Sequence, residues 1–136
     1  MFQIPTEKEN ITLRPIVRNA VPELNPMLVR GSDWTNFGIF EDGVPIGVTR
    51  LHLRDEPSTV ELGYEITGRR KGNGFATVAA KAITEYAEGE LGYERVIAKI
   101  DPINIASQKV AKKSGFVETG KEGNFLVYAH QAPKNL

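Results

Sequence analysis

Two short stretches of this chain carry residue types at spacings that can do chemistry. The first is Arg69-Arg70-Lys71-Gly72-Asn73-Gly74, an R-x-x-G-x-G run. Glycines at such positions let the backbone approach a ligand in conformations closed to other residues. A helix starting just afterwards aims unpaired N–H groups and the positive end of its dipole at whatever binds. Three cations precede the loop glycines and add to the same field. The pattern predicts a pyrophosphate cradle; the plainer alternative is a left-handed turn that enters a helix. A Walker loop is disfavoured because no Gly-Lys-Ser/Thr follows, and a dinucleotide fingerprint would need a further glycine at a fixed offset. The second stretch runs from Glu61 to Glu65. Val60, Leu62, Tyr64 and Ile66 alternate with Glu61, Gly63 and Glu65, so two carboxylates share the strand face opposite an apolar one. On a central strand, such a face meets a wet cleft. An ordinary exposed strand carboxylate gives the same pattern.

The elements that must hold these residues follow from periodicity and punctuation. Residues 11–16 alternate as a first strand, with Pro15 favouring an edge or a strand end. Pro22 and Pro26 break residues 17–33 into short helical turns. Residues 35–40 and 44–53, joined across Asp42-Gly43, read as a β-hairpin. On the second hairpin strand the apolar phase runs Val44, Ile46, Val48 and then Leu51, Leu53, which predicts a bulge near Thr49-Arg50. Residues 59–66 form the next strand. Phe75, Val78, Ala79, Ala82, Ile83 and Tyr86 fall at helical spacing, with Gly89 as the expected C-cap. Residues 94–100 are a strand, and Asn104 is placed to cap a helix from about Ile105 to Ser114 that Gly115 stops. Residues 116–118 and 125–130 are the last strands. Hairpins come first and β-α-β crossovers follow. That order is satisfied by an α/β (α+β) domain with a mixed sheet and helices on its faces.

Bulk composition narrows the function classes. The chain has 136 residues, enough for one domain spanning 1–136 with a core of its own. Lys+Arg equals Asp+Glu at 17 each, so no generic footprint for nucleic acid or for an anionic membrane appears. With no cysteine and two histidines, disulfides and thiol catalysis are excluded and a metal site is not expected. Neither a signal peptide nor a membrane-spanning apolar run is visible. A cytoplasmic protein is the simplest expectation.

The Gly-rich loop has company. Glu61-Leu62-Gly63-Tyr64 precedes it, and Asn104-Ile105-Ala106-Ser107 and Lys113-Ser114-Gly115-Phe116 follow it. In this order the chain resembles the GNAT superfamily of N-acetyltransferases, most closely its ribosomal-protein alanine N-acetyltransferase branch. The resemblance covers about residues 35 to 120 and is weak before Asp33. It implies a central mixed sheet of six to seven strands with helices on both faces, a reduced N-terminal helical region, and acetyl-CoA as co-substrate. Tyr64, Glu65 and Ile66 would pair with the pantetheine arm through their backbone. Amides from Arg70 through Lys71, Gly72, Asn73 and Gly74 to Phe75 would hold the pyrophosphate, with Arg69 opening the motif. Asn104 would hydrogen-bond the pantetheine, and Ser107 would lie beside it. Lys109, Lys112 and Lys113 would lie near the adenosine end, unless they are only a solvated helix face. Trp34, Phe37 and His52 fall where the family builds its acceptor wall; as plain readings, aromatic residues are more often core and His52 is more often a surface strand residue.

The chemistry so implied needs a neutral amine, a base for its proton and a donor for the coenzyme A thiolate. Glu61 is the first candidate base and Glu65 the second, with an ion pair to Arg69 or Arg70 as the alternative for Glu65. The position seven residues after Asn104, a Tyr in many relatives, is Ala111 here. Ser107 is then the local hydroxyl for the thiolate, against its ordinary role in the first helical turn; Tyr64 is a further donor, though its strand face points to the core. The resulting expectation is transfer of an acetyl group to a primary amine, either a protein N-terminus or a small molecule. The rivals are a non-catalytic or degenerate acyl-CoA-binding domain and, more distantly, another nucleotide-binding module. Reduction of the N-terminal helices implies an acceptor side that is open or is completed by the second subunit of a homodimer.

Overall fold

Asp42 and Gly43 both lie in the left-handed region, at φ 50° and 81°. This is the type I′ turn whose twist matches the strands it joins. It closes the hairpin of β3 (Trp34–Glu41) and β4 (Val44–Leu53). The computed structural model, which describes residues 2–31 and 33–133, builds outward from it. Upstream stand β1 (Ile4–Pro5) and β2 (Ile11–Pro15), and downstream β5 (Thr59–Ile66), α1 (Phe75–Gly89), β6 (Arg95–Ile100), α2 (Ile105–Lys113), β7 (Val117–Glu122) and β8 (Phe125–Gln131). One sheet contains all eight strands in the order β1-β2-β3-β4-β5-β6-β8-β7. The strand beyond the expected six to seven is Ile4–Pro5, which is too short to leave an alternation in the sequence.

Both α-helices cover one face of the sheet. Val60, Leu62 and Ile66 of β5 join Phe37, Ile39 and Leu51 of the hairpin, and Val78, Ala79 and Ile83 of α1, in a single buried cluster. Ala111 of α2 and Phe116 extend it. The other face carries a 3₁₀ helix, Pro22–Met27, the short helical turn expected between the two prolines. Its Leu24 is fully buried. Among the described residues no helix is long and apolar enough to cross a membrane.

Three local expectations shift. The hairpin bulge lies at Ile46, where Ile39 pairs with Gly47 and Phe40 with Pro45, and not at Thr49-Arg50, which stay in continuous register with both neighbours. The apolar phase misleads because β4 is covered on both faces: Val48 and Leu51 have opposite parity and both are buried. Helix α1 runs through Gly89 to a C-cap at Glu90, and the left-handed residue after it is Gly92, at φ 78°. Strand β7 extends to Glu122 because it pairs with β8 along its length, with an irregularity between Glu118 and Gly120.

Gly47 sits where β4 comes hard against the end of β5. A Cβ there would stand 2.3 Å from the Glu65 carbonyl oxygen and 3.0 Å from Ile66. Backbone cannot yield as a side chain can, so Gly47→Ala must pry β5 from β4. Overpacking of this kind costs about 1–3 kcal/mol or more, and we expect a loss of at least about 2 kcal/mol, read as a lower urea midpoint with an unchanged m-value.

Candidate active site

Strand β5 pairs with β6 in parallel for only three positions, Thr59↔Arg95, Val60↔Val96 and Glu61↔Ile97. Its other edge stays paired with β4 as far as Gly47↔Ile66. From Leu62 onward the sheet therefore splays, and one edge of β5 turns its backbone N–H and C=O groups to the gap. Such an edge is a template for an extended, amide-bearing partner.

At the end of that edge lies a cavity of about 460 Å³ lined by Tyr64, Glu65, Ile66, Phe75, Asn104 and Ser107, together with the loop residues Arg70, Lys71, Gly72 and Gly74. Gly72 and Gly74 have φ 81° and 79°, and a Cβ on either would meet nothing. Gly74 is the N-cap of α1, so the first amides of a 15-residue helix open toward the loop. Asn73 closes the loop on itself, with Nδ2 donating to the carbonyls of Arg70 and Lys71. Arg69 is exposed and turns to a different surface groove. The Arg70 guanidinium is held by Glu41 at 2.5 Å and lies 4.9 Å from the Phe75 ring centroid. Lys109 and Lys113 line the cavity; Lys112, also exposed, is not among its lining residues.

Asn104 caps α2 as its sequence position predicts, its Oδ1 accepting from the Ser107 amide at 3.0 Å. That bond leaves both N–H donors of the Asn104 amide and one lone pair of its oxygen for other partners. The Ser107 hydroxyl does not cap. The Tyr64 hydroxyl donates to the Ser107 carbonyl at 2.9 Å and lies 3.0 Å from Ser107 Oγ. Since a phenol has one proton, satisfying both contacts makes Ser107 Oγ the donor in the second. Burial pushes the Tyr64 phenol above its ordinary value, while the Ser107 hydrogen bond pulls it the other way. Ala111 is buried in the helix-side core, so α2 presents no phenol of its own at that position.

Glu61 and Glu65 lie on the opposite face of β5, as the alternation predicts, and each is ion-paired. Glu65 pairs with Arg50 at 3.0 Å, not with Arg69 or Arg70. Arg50 also donates through Nε and Nη2 to the Met27 carbonyl, at 3.0 and 2.8 Å, tying the 3₁₀ helix to the sheet. Glu61 accepts from Arg54 at 2.8 Å. The same guanidinium bonds Glu56 at 2.7 Å and Glu122 of β7 at 2.8 Å. These carboxylates, Glu56 above all, raise the Arg54 pKa further and hold it cationic. Sequence reasoning missed Arg50 and Arg54: nothing local marks an arginine whose partners come from other strands. Trp34 and His52 sit on this same face, stacked with ring centroids 4.1 Å apart at 9°. Phe37 does not join them. It points to the helix side and packs on Tyr86 with centroids 6.1 Å apart, because it has the opposite parity on β3.

The chain matches the acetyltransferase (GNAT) domain family over residues 11–117. It belongs to that family. Among curated relatives it is similar to the probable N-acetyltransferase YjcK of Bacillus subtilis (strain 168), at 31% identity over 107 residues, covering 76% of this chain and 59% of YjcK. The chain thus spans about 59% of the length of that relative. Its fold is similar to that of the RimL ribosomal L7/L12 alpha-N-protein acetyltransferase solved with coenzyme A, with a TM-score of 0.78 at 17% identity over 96% of this chain and 98% of the other. It is likewise similar to that of the N-acetyltransferase PseH of Campylobacter jejuni, with a TM-score of 0.75 at 16% identity over 91% and 99%.

The Tyr64 phenol gives a test with a definite sign. Its folded pKa is raised, so its contribution to stability is complete below the unfolded value of 10.0 and is lost as pH rises through the folded value. Tyr64→Phe should therefore lose less stability than the parent between neutral pH and strongly alkaline pH. Its absorbance titration should also show one late-ionising phenol fewer, Tyr128 remaining raised by its burial. Asn104→Ala should cost about 1 kcal/mol through the lost cap, measured by chemical denaturation.

Proposed function

We propose that this protein transfers an acetyl group from acetyl-CoA to a primary amine, either a protein N-terminus or a small-molecule amine, with the cytoplasm as its setting. The observation that carries this reading is the splay of β5 from β6 directly beside the Gly-rich start of α1. An extended arm with amide groups can add to the free edge at Tyr64, Glu65 and Ile66. A pyrophosphate then falls at the amides of the Arg70–Phe75 loop, where the helix dipole and Lys71 favour negative charge. Asn104 offers its amide nitrogen to the arm. Together these groups fit coenzyme A, whose contribution is an acetyl thioester placed at the gap; RimL, of the same fold, has been solved with coenzyme A.

The rest falls to the chain's own residues. Backbone N–H groups on the open edge of β5 can polarise a carbonyl, as an oxyanion hole does. The Ser107–Tyr64 hydroxyl pair stands at the cavity to return a proton to a departing thiolate. Glu61 supplies the carboxylate of the acceptor side, with Trp34 as its aromatic floor and Glu65 further along the same face. The loop amides organise the donor side, and the 3₁₀ helix with Arg50 forms the acceptor wall.

A second reading, an acyl-CoA-binding domain without turnover, draws on the buried Ala111 and on the engagement of Glu61 by Arg54. Glu61→Gln separates the two. With amine-dependent release of free thiol as the readout, the enzyme reading expects a loss of roughly 10²-fold in kcat. The rise in Tm on adding acetyl-CoA should be unchanged. An acetyl-CoA-dependent rise in Tm without thiol release from any amine in a pool of peptides, polyamines and aminoglycosides would instead establish the second reading.

A further inference from the structure

We propose that His52, and not Glu61 itself, takes the proton from the acceptor amine, with Glu61 acting behind it to orient the ring. The inference rests on the acetyl-transfer reading above. Strand register places Trp34, His52 and Glu61 side by side across β3, β4 and β5, on the face away from the helices. Trp34 stacks on the imidazole and fixes its plane. His52 Nδ1 is buried without a hydrogen-bond partner and stands 3.7 Å from Glu61 Oε1. His52 Nε2 lies on the other side of the ring, 3.9 Å from Asp33 Oδ2.

This arrangement gives each nitrogen a different task. The carboxylate beside Nδ1 favours the tautomer that carries its proton there, and Nε2 keeps the lone pair. Glu61 is in turn fixed by Arg54, so its Oε1 is already committed to a guanidinium. An incoming ammonium group is drawn by the Asp33 carboxylate to the Nε2 side of the ring and gives its first proton to solvent before it attacks. The charged groups that bear on His52 are Asp33 from the loop before β3, Glu61 from β5, Arg50 two residues before it on β4 and Arg54 two residues after it, just past the end of β4. Glu65 and Glu122 act one step further off, through those two arginines.

The step balances without any other reactant. The nitrogen of the neutral amine bonds to the thioester carbonyl carbon, and its proton passes to the lone pair of His52 Nε2. The carbon–sulfur bond breaks with its electron pair on sulfur, which takes a proton from the Ser107–Tyr64 pair or from water. Amide and free thiol leave, and the imidazolium returns its proton to solvent. His52 touches the reacting nitrogen and is a catalytic residue in this scheme; Glu61 and Trp34 are positioning residues.

Two measurements test it. With a pooled amine panel as acceptor, kcat/KM of the parent should rise with pH, because the neutral amine is the attacking form. His52→Gln should change the shape of that profile, lower kcat/KM by roughly 10²-fold and leave the acetyl-CoA shift in Tm intact. Added imidazole should restore part of the loss. Independently of activity, ¹⁵N NMR can read the ring, since the chain has two histidines and His52→Gln assigns the signal. The parent should show the Nδ1–H tautomer for His52, and Glu61→Gln should shift it toward Nε2–H. If the parent acetylates amines but His52→Gln keeps its rate and pH profile, the role of His52 falls while acetyl transfer stands. An Nε2–H tautomer in the parent overturns the proposal as well. If no amine is acetylated at any pH, the acetyl-transfer reading itself fails and takes this role with it.

Discussion

The parallel ladder between β5 and β6 stops after three residue pairs, and most of what this domain can do depends on that break. A parallel strand with a partner on both sides has no free hydrogen-bonding edge and binds nothing along its length. Here β5 keeps β4 along one edge and loses β6 along the other, so it is held rigidly while half of its backbone polarity faces a gap. An open edge normally invites aggregation. In this fold it is flanked by residues of helix α2 and by the Gly-rich loop, which line the same cavity as the end of β5.

Charge organises the two faces of β5 differently. On the helix side the polar groups are hydroxyls: Tyr64 reaches α2 and meets Ser107 among otherwise apolar packing. On the opposite side they are ions, and every carboxylate of interest is already paired. Arg50 joins β4, β5 and the 3₁₀ helix. Arg54, just past the end of β4, joins β5 to β7 on the face opposite the helices. Each arginine lies close to nine-tenths buried, where bidentate and fork contacts are stronger than surface pairs. Of the two, Arg54 reaches past the β5–β6 gap to Glu122 of β7, while Arg50 ties β5 to the 3₁₀ helix. Beside them, His52 Nδ1 is buried without a hydrogen-bond partner.

The Gly-rich loop, the hairpin turn at Asp42-Gly43, the cap at Asn104 and the alternation of β5 could all be read in advance, because each is a local signal. A positive φ, a cap spacing or a helical period involves residues within one or two turns of one another. The bulge was misplaced because its apparent phase change came from burial of β4 on both faces, which only packing reveals. Of the two readings open for Phe37, acceptor wall or core, the structure takes the core, since one step of strand parity decides the face. For Glu65, the alternative to a base is an ion pair with its near neighbours Arg69 or Arg70. Arg50, on the adjacent strand, holds it instead, and Glu41 from the hairpin takes Arg70.

By itself, then, the sequence determined the elements around the Gly-rich loop: a strand, a loop with glycines at two left-handed positions, a helix start and a capped second helix, all set by short-range backbone preferences. It also determined the family, through the order of those pieces. Only the tertiary structure decided where β5 parts from β6, that Tyr64 meets Ser107, and that Trp34, His52 and Glu61 stand in one row. Those depend on strand register and on contacts between residues as far apart as Arg54 and Glu122, 68 positions along the chain. No local preference encodes such distances; the collective packing of the sheet and its helices sets them.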